Sequence, residues 1–421
     1  MKKFSMSVLE IKSFNVESIR GRWRGNRLIV GLDIAKRVQY ASMSDDQGVP
    51  LTVLRWRMPE ELYIFVALLE SIGSDRVEVV MEPSGTYGDA IRFALHRSGI
   101  AVFRMSPKRV FDAREVYDGI PSLHDKKASC LLARMHAEGL TTRWEPESDT
   151  HRDLHAMIMS LDWATRSYRT EISRLEALLA RHWPEATEHL KLGSVTLLTV
   201  LSQIGGPAAV ACRLAETRTL MAETGGPLVK GATIAGLIAS ASSTVGVPTT
   251  AAEDALLREA ATLALSERGR RRDAAARVQS CLGDHESVAR MRTVVGPTTA
   301  AVLVSELGDP LSYGHAKALE KAAGLILKEK SSGTHQGRRS ITKRGSSRAR
   351  QWLYFAALRL IKDDPVARAW CARKAQRDGG VKKKAVIAVM RKLLRALWHV
   401  ARGARFDSTK LFDVARLDVV A

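Results

Sequence analysis

The chain predicts an α/β domain followed by mostly helical regions, and three patterns carry that expectation. From Leu28, short apolar runs alternate with amphipathic stretches. From Leu154, apolar residues recur at three- and four-residue intervals. The last third holds apolar helical stretches broken by Gly-Pro and Ser/Gly-rich turns. At 421 residues the chain exceeds what one core usually needs, so two or three domains are expected. With 45% hydrophobic and 26% charged residues the composition is globular and excludes a wholly disordered protein.

Residues 1–27 are weakly periodic, carry four arginines and read as an extension. LIVGLD (28–33) is a short apolar run ending in an acid. VQYASMS (38–44) continues with β-type residues, SDDQGVP supplies turn chemistry, and LTVLRW gives another strand. A helix is expected over 59–72, then VEVVME (77–82) as a second buried strand ending in an acid. GDAIRFALHRSG follows as a helix closed by Gly99, and IAVFRM as one more strand. Strands alternating with helices make 28–150 an α/β domain.

From Leu154 the stripe Leu154, Ile158, Leu161, Thr165, Tyr168, Ile172, Leu175, Leu179 spans more than three heptads with a polar slip at Thr165. It predicts a long helix that pairs with another, in coiled-coil fashion or within its own domain. Residues 193–250 are rich in small residues and show no clear period, whereas 251–282 are helical by composition. The region 151–286 therefore reads as a helical spacer, able to serve as an oligomerisation arm. VVGPTTAAVLVSELGDP (294–310) places a Gly-Pro turn before an apolar helix, as in a helix–hairpin–helix, whose turn amides can meet a phosphate. Similar letters at Ile204–Gly205–Gly206–Pro207 leave a purely structural turn open.

Charge is unevenly spread. The chain has 65 Lys+Arg against 45 Asp+Glu, a formal +20, and residues 311–421 hold 26 basic and 8 acidic residues. Such an excess points to a polyanion, with nucleic acid first. From Ser331 to Lys362 there are eight basic residues and no acid; Arg338, Arg339, Lys343, Arg344, Arg348 and Arg350 are the candidate phosphate contacts. A solvated face is the alternative. Cys130, Cys212, Cys281 and Cys371 lie too far apart for a zinc motif or a disulfide framework and suit a reducing cytosol. No apolar run reaches membrane-spanning length, and MKKFSMSVLEIKSF lacks a signal-peptide core, so a cytoplasmic protein without a membrane partner is expected.

Asp33 and Glu82 end neighbouring apolar strands, where buried carboxylates are costly unless they bind a cation or are otherwise paired. Converging carboxylates make a hard-oxygen site suited to Mg²⁺, which can orient a phosphodiester. Asp125 opens a helical stretch and is either a third such acid or a plain N-cap.

GLDIAK (31–36), MEPSGTYG (81–88) and HDKKASCLLA (124–133) resemble, in order and spacing, the RuvC-like N-terminal domain of the DEDD insertion-sequence transposases, the IS110 group that includes the Piv-type DNA invertases. The resemblance resumes near 294–310 and continues through KALEKAAGL (317–325) and SSGTHQGRRSITKRGSSRARQWLYFAA (331–357). It implies an RNase H/RuvC-like domain at 28–150, a serine transposase domain at 287–375 and a basic helical region at 376–421. Asp33, Glu82 and Asp125 match the first three acids of the family's tetrad; the fourth position is Ala128, and no carboxylate occupies 126–137. Ser332, before Gly333, matches the family's nucleophile, with Ser331 the neighbouring alternative.

The resemblance implies a transposase/recombinase that cleaves and rejoins DNA through Ser332. Asp33, Glu82 and Asp125 would hold Mg²⁺, a structured guide RNA would take part, and the protein would work as a homo-oligomer (dimer or tetramer). Two alternatives stand beside it: a cleavage-deficient DNA- or RNA-binding derivative, which Ala128 at the fourth position favours, and a metal-dependent junction nuclease without serine chemistry.

Overall fold

A computed structural model describes residues 7–413 except 24, 84, 282–284, 330, 333–334 and 338, with backbone alone at 331, 332, 335 and 336. The chain forms two compact units, residues 1–147 and 148–421.

Unit 1 is built on a seven-stranded mixed sheet. Its strands are β1 (Val8–Glu10), β2 (Leu28–Asp33), β3 (Val38–Ser44), β4 (Pro50–Arg57), β5 (Val77–Met81), β6 (Ala101–Arg104) and β7 (Thr142–Arg143), in the order β1-β4-β3-β2-β5-β6-β7. β4, β3 and β2 are joined antiparallel, while β2, β5 and β6 run parallel. Alternation of side chains along β2 and β5 sorts their residues onto two faces. Leu28, Val30, Leu32, Val79 and Met81 pack with Phe65 and Leu69 of the Leu62–Ile72 helix and Ile91 and Leu95 of the Asp89–Arg97 helix. Ile29 and Val80 face the other way, against Val110 of the Pro107–Ala113 helix and Leu131 and Leu132 of the Asp125–Ala137 helix. Helices thus cover both faces, and β2 is buried from Leu28 to Leu32 because it lies at the centre.

The extension is part of this unit. β1 pairs in parallel with β4, Ile11 and Ile19 are buried, and Arg27 bonds Glu78 of β5 at 2.9 Å.

Unit 2 is helical. Its two longest helices are Asp149–His182 and Ala251–Ser280. The first is capped by the Ser148 hydroxyl and the second by a capping box of Thr250 and Glu253. Leu154, Ile158 and Leu161 share a core with Ala274 and Val278, while Leu175 and Leu179 share another with Leu257, Ala260 and Ala264. The pair is therefore antiparallel, and the partner of the predicted stripe belongs to the same chain. Residues 193–250, without a clear period in the sequence, fold as short helices at Val195–Gln203, Pro207–Cys212, Leu214–Gly225 and Gly231–Ser242.

The helix–turn–helix at the Gly-Pro turn is present: Glu286–Val295, then Gly296 at φ 80°, then Pro297–Leu307 with proline in the first turn. At the second Gly-Pro turn the Gly206 amide donates to Asp254 Oδ1 at 2.7 Å, so that turn serves the fold. The Ala316–Ala322 helix is fastened to the Lys382–Ala401 helix through Glu320, a fully buried carboxylate that accepts from Arg391 and Arg395 at 2.5 Å each. One core runs from Leu154 to Phe412, so the two ends of the spacer, at Leu154–Leu161 and Ala274–Val278, pack with the C-terminal regions. No helix among the described residues is long and apolar enough to cross a membrane, and the four cysteines are free.

Candidate active site

The acid pair follows from strand register. β2 and β5 are aligned with Leu32 opposite Met81, so Asp33 and Glu82 come next, side by side at the C-terminal ends of two parallel strands. By the alternation above, both lie on the face covered by the Asp125–Ala137 helix. That helix can approach because β2 carries Gly31: a Cβ there would sit 2.0 Å from the Ser129 carbonyl oxygen. Asp125 is the first residue of the helix, and it is exposed.

Electrostatics tie the three acids together. Burial pushes the Asp33 carboxyl up to about 6; the charge of Asp125 adds to this, and the Ile34 amide opposes it. Burial likewise raises Glu82 to about 7, with Asp33 contributing. Half-buried carboxylates kept partly protonated near neutral pH mark a place where a cation would be stabilising. The donors are hard oxygens, which fit a divalent ion. Among the described residues, however, no group of three or more His, Cys, Asp or Glu side chains closes into a metal-holding cluster. Asp33 and Glu82 thus form an electrostatically coupled pair, with Asp125 near enough to act on Asp33. The family's fourth position is occupied by Ala128, one turn beyond Asp125 and buried.

Asp125 is not the cap of its helix. His124 takes that role, its Nδ1 accepting the Lys127 amide at 3.3 Å. Lys127 is 2% exposed and donates to Asp118 Oδ1 at 2.8 Å and to the Ile120 carbonyl at 2.7 Å, anchoring the loop that delivers Asp125. Sequence reasoning missed this anchor and Gly31; a glycine inside an apolar strand was the one available signal.

In unit 2, the expected Ser/Gly-rich loop is two small antiparallel ladders. β8 (Leu327–Lys328) pairs with β11 (Ser340–Ile341), and β9 (Ser331–Ser332) with β10 (His335–Gln336). Ser332 lies opposite His335. Its side chain and that of Ser331, together with Gly333 and Arg338, lie outside the described residues. Arg339 bonds Glu329 at 3.0 Å, both groups exposed. Lys343 adopts a left-handed backbone (φ 56°), and its amide donates to the Gly324 carbonyl at 2.9 Å. Gly324 lets the Arg344 backbone come within 2.7 Å of where its Cβ would be. These cations are therefore held on a folded element. Arg348 and Arg350 serve the fold: Arg348 pairs with Glu306 and, at 3.5 Å, with Asp162, while Arg350 donates to the Ala323 and Gly345 carbonyls.

Two blocks of the sequence match known protein families. Residues 30–184 match a transposase model of the DEDD IS110 type, and residues 290–371 match the model described as the transposase IS116/IS110/IS902 family. Both models describe transposases. The chain belongs to the IS110 family of DEDD transposases, the DNA transposases of insertion sequences. It is 26% identical over 395 residues to the insertion element IS110 uncharacterized 43.6 kDa protein of Streptomyces coelicolor, a match covering 91% of this chain and 96% of the relative.

Proposed function

We propose that the protein cuts and rejoins DNA through Ser332, with Asp33, Glu82 and Asp125 holding Mg²⁺ and with a structured RNA as guide. The observation that carries this reading is the placement of Asp33 and Glu82 in adjacent register beside the Asp125 helix, within the region matched by the DEDD model. The sheet order, antiparallel through β4, β3 and β2 and then parallel through β5 and β6, supports an RNase H/RuvC-like domain.

When bound, the ion supplies charge neutralisation at the scissile phosphate and orients the attacking oxygen. The rest falls to the chain. Ser332 Oγ gives up its proton and bonds to phosphorus; the bond from phosphorus to a sugar oxygen breaks, and that oxygen takes a proton. Rejoining is the reverse: a sugar hydroxyl attacks the phosphoserine and releases Oγ. Arg338, Arg339, Lys343 and Arg344 hold the backbone, with Arg348 and Arg350 supporting them from inside the fold. The acids belong to unit 1 and the serine to unit 2, so the chemistry requires the two to be assembled, in a dimer or tetramer, on DNA.

The test is a denaturing gel of labelled DNA carrying the element's ends. Ser332→Ala is expected to abolish the covalent protein–DNA adduct and to leave DNA binding nearly intact, while Ser331→Ala is mild. An adduct that persists in Ser332→Ala refutes the nucleophile assignment. The buried Ala128 favours a second reading, a DNA- or RNA-binding derivative that no longer cuts. Absence of an adduct and of nicking in the wild type would establish it, and nicking without an adduct would establish a junction nuclease.

A further inference from the structure

The Ala251–Ser280 helix carries SERGRRRD at 266–273, a basic run outside both the acid site and the hairpin. Arg268, Arg271 and Arg272 line a cavity of about 690 Å³ in unit 2, together with Thr165, Thr298 and Trp352 from three other helices. That volume is in the range of ligand sites, and no carboxylate is among the described residues lining it.

The arginines are oriented without being neutralised. Arg268 donates to the Gly193 carbonyl at 3.2 Å, and the Arg271 guanidinium lies 4.4 Å from the centre of the Tyr168 ring. Arg272 is exposed, and its pairing with exposed Asp273 at 3.0 Å is weak in water. Glu267, the acid next to Arg268, is engaged by Arg270 at 2.6 Å. Gly269 sits on the same wall, where a Cβ would meet nothing within 4 Å. A glycine inside a helix costs about 1 kcal/mol relative to alanine. No packing demands it here, and its effect is to leave the wall open.

We infer that this cavity receives one nucleotide of a single nucleic-acid strand. Its phosphates rest on Arg268, Arg271 and Arg272, and its base lies against Trp352. Guanidinium groups match phosphate oxygens in charge and geometry, and an aromatic ring beside them provides a sequence-tolerant stacking surface. The inference rests on the nucleic-acid reading above but uses none of the residues assigned to the cut. RNA and displaced DNA offer the same phosphate and base, so the experiment separates them.

The full-length protein is titrated with labelled single-stranded RNA and, separately, single-stranded DNA of matched sequence over a range of salt, by fluorescence anisotropy. Each single-strand phosphate contact contributes about 0.7 to the slope of log affinity against log salt. The triple variant R268Q/R271Q/R272Q is expected to flatten that slope by about 1.4, the share of the two phosphates that flank one nucleotide. Arg272→Gln, exposed and harmless to folding, should flatten it by about 0.7. A bromouracil-substituted strand should photo-crosslink to the peptide containing Trp352 in the wild type and not in the triple variant. A larger loss with RNA assigns the site to RNA, and with DNA to a displaced strand. Unchanged slopes in both variants overturn this inference alone, as does a wild type that binds duplex but neither single strand. A wild type that binds no nucleic acid overturns it together with the proposed function.

Discussion

Gly31 and Ser129 bring sheet and helix together at backbone distance. A Cβ on Gly31 would lie 2.0 Å from the Ser129 carbonyl oxygen and 2.8 Å from the Ala133 amide nitrogen. This close approach sets how near the Asp125–Ala137 helix lies to β2, and so how near Asp125 stands to Asp33.

Gly31→Ala should therefore act at a distance. The clash is with helix backbone, not a flexible side chain, so the helix must move. Overpacking of this kind costs about 1–3 kcal/mol. Thermal melts should show a lower Tm, and cleavage should fall further than DNA binding, because the hairpin cations belong to the other unit. A wild-type Tm would mean the helix shifts freely.

The raised carboxyls give stability a pH dependence of known sign. Glu82 near 7 and Asp33 near 6 bind protons more tightly in the folded chain than in the unfolded one. Their burial therefore costs stability above about pH 7, and the cost fades as pH falls toward their ordinary values. Glu82→Gln should raise Tm by about 2–4 °C at pH 8, with the gain vanishing near pH 4.5. Mg²⁺ should raise the wild-type Tm at pH 8 and leave Asp33→Asn unmoved. An equal response to Mg²⁺ in both proteins would place the cation elsewhere.

Ala128→Asp restores an acid one turn from Asp125, on its helix face. At this buried position the new carboxylate should lower Tm in chelator, recover it with Mg²⁺ and increase Mg²⁺-dependent cleavage. A protein that already cleaves and gains nothing has a site complete without that acid.

Neutralising Arg338, Arg339, Lys343 and Arg344 together should flatten the salt dependence of duplex binding, by about 0.9 for each DNA phosphate no longer neutralised. Arg348→Gln should instead lower Tm, because it removes the cation paired with the part-buried Glu306 carboxylate, while Asp162 keeps Arg166 at 2.8 Å. An unchanged salt slope in the fourfold variant would move the duplex surface away from the hairpin.

What the sequence disclosed was local. Asp33 and Glu82 were legible because each ends a run of apolar residues, and parallel pairing of those runs puts their ends together. Asp125 was legible through resemblance alone, since an acid opening a helix has a capping explanation that only coordinates could transfer to His124. The Leu154–Leu179 stripe showed a buried helix face, yet an apolar period records that a surface is covered and not what covers it. Serine, histidine and glutamine carry little strand propensity, so the ladders around Ser332 read as loop. Arg348 looked like its neighbours because its acids, at 162 and 306, are remote in sequence.

The first strand has one more implication. β1 lies along the outer edge of β4, its Glu10 bonding Arg55, and so occupies backbone groups that would otherwise face solvent. Trimming the chain to begin at Leu28 would uncover a strand of eight residues, several of them apolar, as a template for pairing with another molecule. A shortened protein of this kind would be prone to self-association even with every acid and cation of its sites intact.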